Sequence, residues 1–206
     1  YTPSISGSYP MSASITRINS TVSSVNVGNG VVSANRYISA LRVPAEKYVK
    51  FSKHFQLEGS LSGSGQVLTR NLVTSPANLI NVPFIFFEST LKRGSVNLKY
   101  YITGSLIAEC ADTKQNGELI ETTGSNVGAT VGLVMYDEGI LVLTASHNLD
   151  EGNSIVYDGS TAASASWMYF GAGANDGITH DATIASASFG ITAKGTSYTQ
   201  VMTMFC

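Results

Sequence analysis

The chain has 206 residues, and charged side chains make up 13% of it, against about 25% in a typical soluble domain. Its formal net charge is −2, and Ser, Thr and Asn, with 27, 19 and 13 copies, take many of the positions that charged residues usually hold. This composition excludes the basic surface of a nucleic-acid-binding protein and the high net charge of a disordered chain, and no apolar run approaches the roughly 20 residues needed for membrane insertion.

The first forty residues, 1–40, differ in composition from the rest of the chain. Ser, Thr, Asn and Gly dominate them, with isolated Val and Ile and two prolines, Pro3 and Pro10. Such a segment is typical either of a flexible arm or of an extended arm that becomes ordered against a partner. The segment also contains Asn19-Ser20-Thr21, but a glycosylation tripeptide this common means little by itself.

Residues 41–78 predict a small β region. Ala40–Lys53 is the most helix-like pattern of the chain, but Pro44 lies inside it, so we expect the helix to be broken there. The low-complexity run Gly59–Gly65 predicts a hairpin loop. A soft boundary is predicted near residues 75–80, where the most apolar stretch of the chain begins.

Residues 79–206 predict the main domain, an antiparallel β-sheet. In Val96–Thr103, apolar or aromatic side chains alternate with others, falling at Val96, Leu98, Tyr100 and Ile102. A period of two places one face of a strand in the core and the other face outward.

Turn residues separate the predicted strands at short intervals. Asn116-Gly117 divides Ser105–Ala111 from Glu118–Thr122, and Asp137-Glu138-Gly139 divides Thr130–Tyr136 from Ile140–Thr144. Asn29-Gly30 and Asp158-Gly159 occupy comparable places. Asn-Gly and Asp-Gly suit type I′ hairpin turns, in which both central residues adopt positive φ. The predicted class is all-β, an antiparallel β-sandwich or jelly-roll-like sheet with an extended N-terminal arm.

The small net charge hides a division of the chain. Residues 1–99 carry ten basic and three acidic side chains, a net charge of +7, whereas residues 100–206 carry two basic and eleven acidic ones, a net charge of −9. Such asymmetry marks complementary faces between subdomains or subunits, or it reflects chance clustering on solvated surfaces. The sequence leaves both interpretations open.

The two cysteines, Cys110 and Cys206, lie far apart and match no metal-ligand spacing. We expect Cys110 to pack as a small apolar group. Cys206 follows the strand-like run Val201–Phe205, and a domain rarely stops in the middle of a strand. We therefore expect the chain to continue beyond residue 206 in a longer polypeptide.

No run of the chain matches the residue spacing of the catalytic and cofactor-binding motifs considered below. Gly59–Gly63 places Leu61 where the nucleophile of a GxSxG elbow should stand, and no phosphate-binding P-loop is present. Gly171–Gly177 has the first two glycines of a dinucleotide fingerprint but its third comes one residue late. No catalytic residue and no cofactor site are predicted.

Two histidines lie near carboxylates in the sequence. His147 precedes Asp150 and Glu151, and His180 lies between Asp176 and Asp181. Such groups form an oxygen-and-nitrogen metal site, or they cap loops, which is the more common role of Asp and His in turns. No metal ligand is predicted, and metal binding at His147 or His180 is left open.

Aromatic residues cluster in three runs, Phe84–Phe87, Tyr100-Tyr101 and Trp167–Phe170. At strand spacing, core packing is the favoured interpretation, and a surface that binds sugar or protein is the alternative. A strand over Trp167–Phe170 would place Trp167 and Tyr169 on one face and the other two residues on the opposite face.

Three runs of the chain carry a family resemblance: Val96–Leu106, Asn116–Thr122 and Gly132–Thr144. They resemble a module in structural proteins of tailed bacteriophages, in particular marine T4-like phages, and Val201–Phe205 looks like the middle of such a module. The resemblance implies a non-enzymatic virion protein of the tail, baseplate, neck or fibre apparatus, assembled in the host cytoplasm. Its partners would be copies of itself and other virion proteins, and no catalytic residues carry over.

Other functions remain as alternatives. One is a carbohydrate-binding module at a fibre tip, which recognises a host-surface glycan through exposed aromatic residues such as Trp167. Another is a capsid decoration protein. A hydrolase with a site around His147 or His180 ranks last.

Overall fold

The computed structural model describes residues 25–27, 30–32, 41–56, 70–72, 77–157, 161–171 and 187–198. Strands dominate these stretches, which contain one α-helix, so the predicted all-β class is confirmed. Within the same stretches, no helix has the length and apolar character to cross a membrane.

The elements are numbered here in chain order. The helix α1 spans Arg42–Val49, and single 3₁₀ turns span Phe84–Phe86 and Trp167–Tyr169. The strands are β1 (Val25–Val27), β2 (Gly30–Val32), β3 (Phe55–Gln56), β4 (Arg70–Asn71), β5 (Asn78–Asn81), β6 (Thr90–Leu91), β7 (Asn97–Ile102), β8 (Ser105–Ala111), β9 (Glu118–Thr123), β10 (Thr130–Met135), β11 (Ile140–Leu143), β12 (Asp150–Tyr157), β13 (Thr161–Ala165), β14 (Ala187–Thr192) and β15 (Gly195–Thr196).

Seven strands form one antiparallel sheet in the order β14–β7–β8–β9–β10–β11–β5. From β7 to β11 the order follows the chain, as expected when short turns join antiparallel neighbours. β5 and β14 join this meander from its two sides. Smaller antiparallel pairs are β1–β2, β12–β13 and β6–β15, whereas β3 and β4 pair in parallel over two residues.

The alternation predicted for the strand around Val96–Thr103 is confirmed in β7. Val96, Leu98, Tyr100 and Ile102 are all buried, and the residues between them are only partly covered. The period-two pattern therefore identified the face of β7 that packs into the core.

Two of the predicted turns, Asn116-Gly117 and Asp137-Glu138-Gly139, separate strands as expected, although the first has a different geometry. Gly30, predicted as a turn residue, is instead the first residue of β2 and pairs with Val27. Gly139 and Gly117 adopt positive φ, at +67° and +99°. Asn116 does not, and its Oδ1 instead accepts a hydrogen bond from the Glu118 N–H at 3.0 Å. Asn116-Gly117 thus ends a longer loop and is not the central pair of a type I′ turn.

The helix α1 shows that the expectation about Pro44 was wrong. α1 begins at Arg42, so Pro44 is its third residue. The first four N–H groups of a helix have no intrahelical acceptor, and a proline there removes no hydrogen bond. Directly after it, the Ala45 N–H donates to the Leu41 carbonyl at 2.9 Å. Pro44 lies in the first turn of this helix and does not break it.

Different elements occupy the two ends of the sheet. The helix end consists of α1 and the turn after it up to Ser52, residues 82–96, the loops 112–117 and 136–139, and residues 193–198. The plug end consists of the turn 103–104, the loop 124–129, residues 144–151 and the plug, residues 165–171. At the helix end, the Tyr48 hydroxyl accepts a hydrogen bond from the Tyr136 N–H at 3.0 Å, which holds α1 in place. At the plug end, the Leu149 N–H donates to the Ala165 carbonyl at 2.8 Å, which holds the plug in place.

The plug supplies aromatic rings to the core. Trp167 and Phe170 are fully buried and stack with ring centroids 6.0 Å apart. Phe189 of β14 lies 4.9 Å from the Phe170 ring and 4.7 Å from the Tyr100 ring. Asn78 of β5 donates from Nδ2 to the Phe170 carbonyl at 2.8 Å. The plug therefore joins both outer strands of the sheet.

The segment bounds predicted at residues 40/41 and 78/79 stay predictions. The buried side chains of Ala45, Tyr48, Phe55 and Leu72, from the second segment, belong to the same hydrophobic core as the main sheet. Hydrophobic burial is the main favourable contribution to folding, so this shared core couples the stability of both segments.

Several sequence predictions lie outside the described residues. They are the N-terminal arm 1–40 apart from β1 and β2, the Asn19 sequon, the loop Gly59–Gly65, the turn Asp158-Gly159, the glycine-rich run after Gly171, the residues Asp176, His180 and Asp181, and the chain end with Cys206.

Candidate functional site

Exposed apolar side chains gather at the helix end. In the described part of the chain, seven large apolar residues are exposed, of which two, Leu106 and Val127, lie at or beside the plug end. The other five lie at the helix end: Val43, Phe51, Phe84, Ile85 and Tyr198. Concentrated exposed apolar residues of this kind mark interaction sites more often than single scattered ones do.

The helix contributes two of these residues through its outward face. Val43, Lys47 and Phe51 follow each other at spacings of four, so they lie on one side of α1 and of the turn after it. Ala45 and Tyr48 point the other way and are buried. α1 therefore packs on the sheet through small and aromatic residues and presents an apolar and cationic stripe to solvent.

Polar contacts fix α1 to the turn between β10 and β11. The Tyr48 hydroxyl accepts from the backbone N–H groups of Tyr136 and Asp137, at 3.0 and 3.3 Å. Lys47 forms an ion pair with the Asp137 carboxylate, with both side chains about half exposed. Burial raises the pKa of the Tyr48 hydroxyl above its ordinary value.

The 3₁₀ turn after β5 presents Phe84 and Ile85 to solvent. Below them Phe87 is buried, and its ring meets that of Phe84 edge-on with centroids 5.6 Å apart. The turn 136–139 packs directly against Phe87. The two are so close that a Cβ on Gly139 would collide with the Phe87 ring. Gly139 thus allows the close approach that holds the Phe84–Ile85 turn in place.

Tyr198 lies beside the same turn. The strand β15 pairs with β6, and Thr196 bridges to Glu88, which follows the Phe84–Ile85 turn. Two residues further on, the Tyr198 N–H donates to the Ser89 hydroxyl at 3.4 Å. The segment that carries Tyr198 is thereby paired with the segment that follows the Phe84–Ile85 turn.

A buried carboxylate stabilises the loops below this surface. Asp112 accepts from the N–H groups of Gly94 and Val96, at 2.6 and 3.0 Å, and from the Tyr136 hydroxyl at 3.0 Å. Burial raises the pKa of Asp112 despite these hydrogen bonds. Asp112 therefore ties three loops of the helix end together.

A second buried carboxylate connects the segment after α1 to the sheet. Glu118 accepts from the Ser52 hydroxyl at 2.6 Å and from Lys114 Nζ at 2.8 Å. Burial acts to raise the pKa of Glu118, but the hydrogen bonds from Lys114 and Ser52 outweigh it, and the pKa lies below its ordinary value. Glu118 is therefore held as a carboxylate.

At the plug end, one buried carboxylate organises the aromatic residues. Glu121 is fully buried, and its Oε2 accepts from Trp167 Nε1 at 2.9 Å and hydrogen-bonds His147 Nε2 at 2.7 Å. Its Oε1 accepts from the Asn126 N–H at 2.7 Å. A buried carboxylate requires such partners, since an unpaired one is strongly unfavourable. Glu121 thus fixes the plug, the loop 124–129 and His147 together.

The structure does not bring His147 to the carboxylates that neighbour it in sequence. The Asp150 carboxylate instead accepts from the Gly152 N–H and from Asn153 Nδ2, both at 2.9 Å, which is the loop-capping role. Among the described residues, no three His, Cys, Asp or Glu side chains form a group that fits a metal ion. The other proposed cluster, around His180, lies outside these residues.

Trp167 does not serve as an exposed sugar-binding ring, because it is fully buried under the sheet. The alternation expected over Trp167–Phe170 was also wrong. A 3₁₀ turn has three residues per turn and brings residues i and i+3 to one side, so Trp167 pairs with Phe170. Core packing, the favoured interpretation of the aromatic runs, is confirmed for Trp167 and Phe170, but it was wrong for Phe84, which is exposed.

Sequence reasoning missed two residues that define the ends. Glu121 was predicted only as part of a strand, since its partners Trp167 and His147 are distant in sequence. Ile85 lies in the most apolar stretch, where burial was the natural expectation, yet it is exposed. The signal that was available is Pro83, which favours an extended residue before it and a turn after it.

Comparison with known proteins leaves the family of the chain open. No family model matches it, and neither a curated protein nor a solved structure matches it significantly. The resemblance to bacteriophage structural modules stays a prediction from the sequence.

Proposed function

We propose that this chain is a non-enzymatic structural component of a bacteriophage virion, in the tail, baseplate, neck or fibre apparatus, which acts through protein–protein assembly. The observation that carries the proposal is the exposure of Phe84, Ile85 and Tyr198 at one end of the sheet, with exposed fractions of 68%, 79% and 73%. Side chains of this size in solvent favour association, because covering them releases hydration water.

The composition supports the same role. A surface rich in Ser, Thr and Asn with few charges offers little electrostatic repulsion between neighbours. The virion location rests on the sequence resemblance alone. Copies of the chain and other virion proteins are the proposed partners.

The proposal assigns no catalytic residue. At the plug end, His147 Nε2 and the Nε1–H of the buried Trp167 both hydrogen-bond the same carboxylate oxygen, Oε2 of Glu121. This arrangement explains the position of the plug without any substrate.

Light scattering at rising protein concentration tests the proposal. We expect the wild-type chain to form oligomers and the double variant Ile85→Ser/Tyr198→Ser to remain monomeric over the same range. Both side chains are exposed, so thermal unfolding of the variant should match that of the wild type and serves as the control for folding. A wild-type chain that stays monomeric alone and with other virion proteins would overturn the proposal.

Substitution of Tyr198 also tests the alternative function, glycan binding. The exposed aromatic rings at the helix end are Phe51, Phe84 and Tyr198. If a glycan array shows binding that Tyr198→Ser abolishes while the mass of the wild type stays that of a monomer, the carbohydrate-binding alternative replaces assembly.

A further inference from the structure

The dipeptide Asn116-Gly117 is chemically reactive by its sequence. Asparagine loses its side-chain amide most readily when glycine follows it, because glycine has no side chain to hinder attack by its own backbone nitrogen. In the folded chain Asn116 is partly exposed and Gly117 is buried. Whether the pair reacts therefore depends on the contacts that hold these two residues.

The reaction needs only the chain, water and hydroxide. The Gly117 nitrogen gives its proton to hydroxide and bonds to Asn116 Cγ, and the bond from Cγ to Nδ2 then breaks. The departing nitrogen takes a proton from water and leaves as ammonia, which regenerates the hydroxide. Water next opens the five-membered succinimide at either carbonyl, giving aspartate or isoaspartate. The net change converts an amide and water into a carboxylate and ammonium, with no oxidation or reduction.

Both reacting groups are held by hydrogen bonds in the folded chain. Asn116 Oδ1 accepts from the Glu118 N–H at 3.0 Å, and Asn116 Nδ2 donates to the Phe51 carbonyl at 3.3 Å. Burial raises the pKa of the Tyr136 hydroxyl, and a hydrogen bond from the Gly117 backbone opposes this shift. A backbone group lowers the pKa of a hydroxyl by donating to it, so the Gly117 N–H is directed at the Tyr136 oxygen. This contact disfavours the loss of its proton.

The helix α1 covers the same dipeptide. A Cβ on Gly117 would lie 3.2 Å from Tyr48 Cδ1, so the tyrosine ring packs on the glycine backbone. The Tyr48 hydroxyl accepts from the Tyr136 N–H at 3.0 Å, and the turn after α1 supplies the carbonyl that accepts from Asn116. Contacts from α1 and this turn therefore reach the glycine, the amide and Tyr136.

We propose that Asn116 is a site of spontaneous deamidation that is closed while α1 is docked and opens when α1 detaches. Detachment frees the amide from the Phe51 carbonyl and admits hydroxide to the Gly117 nitrogen. Because α1 packs outside the seven-stranded sheet, it can leave while the sheet stays intact.

Deamidation makes the detachment harder to reverse. A carboxylate at position 116 still accepts from the Glu118 N–H, but it no longer donates to the Phe51 carbonyl. It also places a second negative charge near the buried Glu118 carboxylate. Isoaspartate adds a backbone atom directly before β9. Either product weakens the attachment of the segment after α1.

Peptide mass spectrometry of the full-length chain at mildly alkaline pH tests the proposal. The conversion is measured on the peptide that carries Asn116, so reaction at the other Asn-Gly pair, Asn29-Gly30, does not contribute. We expect the folded wild type to react at least about tenfold more slowly than the same chain unfolded in urea. Equal rates, or no reaction in urea, would overturn the proposal.

Two matched variants separate detachment of α1 from unfolding of the whole chain. Tyr48→Phe removes the acceptor that holds α1, and we expect it to speed the reaction about fivefold. Trp167→Phe removes a buried hydrogen bond at the plug end and should leave the rate unchanged. Equal acceleration by both variants, or none by Tyr48→Phe, would show that α1 does not control the site.

A milder variant keeps the test decisive if circular dichroism shows that Tyr48→Phe does not fold. Lys47→Met removes only the half-exposed ion pair between α1 and Asp137. It should speed the reaction in the same direction, by about twofold. A rate unchanged from that of the wild type would then contradict the proposal.

Discussion

Two turns of the same kind, at opposite ends of one sheet, place their aromatic residues differently. In both the plug turn and the turn after β5, a ring contacts the ring three residues later: Trp167 with Phe170, and Phe84 with Phe87. Both rings of the first pair are buried, whereas Phe84 in the second pair is exposed. The difference lies in the partners, because Trp167 donates to the buried Glu121 and packs among further rings. A 3₁₀ turn thus aligns two rings, and the surrounding sheet decides whether both are covered.

The largest expected effect is at the plug end. Trp167→Ala removes a fully buried ring and leaves Glu121 without one of its donors, so we expect a loss of about 3–5 kcal/mol in the free energy of unfolding. Urea denaturation measures it. Phe84→Ala is the matched change in the exposed turn and should cost less than about 1 kcal/mol. Equal losses in the two variants would contradict the comparison.

A matched pair of tyrosines gives the next largest difference. The Tyr48 hydroxyl at the helix end accepts two backbone N–H groups, whereas the buried Tyr100 hydroxyl has no hydrogen-bond partner. Tyr48→Phe leaves those N–H groups without an acceptor and should cost about 1–3 kcal/mol. Tyr100→Phe should be neutral or stabilising. Thermal melts of the two variants at neutral pH test this, and the reverse order would refute it.

The smallest effect concerns acid stability at the helix end. The pKa of Glu118 is lowered from 4.5 in the folded chain, so the stability that it contributes is present above pH 4.5 and is lost as the pH falls through the folded value. Lys114→Met removes one cause of the shift. Because Lys114 is about half exposed, we expect a loss of at most about 1 kcal/mol near neutral pH, disappearing in acid. Unfolding midpoints from pH 7 to pH 3 measure it, with Lys194→Met as the control; a constant difference across this range would contradict the assignment.

The sheet was accessible from the sequence because its signals are local. Alternation over β7 and glycine-bearing turns before β9 and β11 depend on residues next to each other in the chain. The prediction that Pro44 breaks the helix was wrong because it used local sequence alone. A proline breaks a helix in its interior but not in its first turn. Where α1 begins depends in part on the tertiary contacts of Tyr48.

The candidate site was not accessible in this way. The exposure of Ile85 depends on what covers the turn, and the role of Glu121 depends on residues 26 and 46 positions away. Pro83 is a local signal for the turn that carries Ile85, but no local pattern indicates the distant partners of Glu121. The sequence shows that basic residues concentrate in residues 1–99 and acidic ones in residues 100–206. Only the strand register shows which charged residues lie at the same end of the sheet.

The buried thiol of Cys110 makes the opening of the sheet measurable. Cys110 lies in β8 between β7 and β9 with no exposed surface, it is not in a disulfide, and burial raises its pKa well above the ordinary value. A thiol reagent therefore modifies it only after these strands separate. In a Cys206→Ser background, the labelling rate of Cys110 reports how often the centre of the sheet opens, and its change on association would show how strongly neighbouring copies hold the sheet closed.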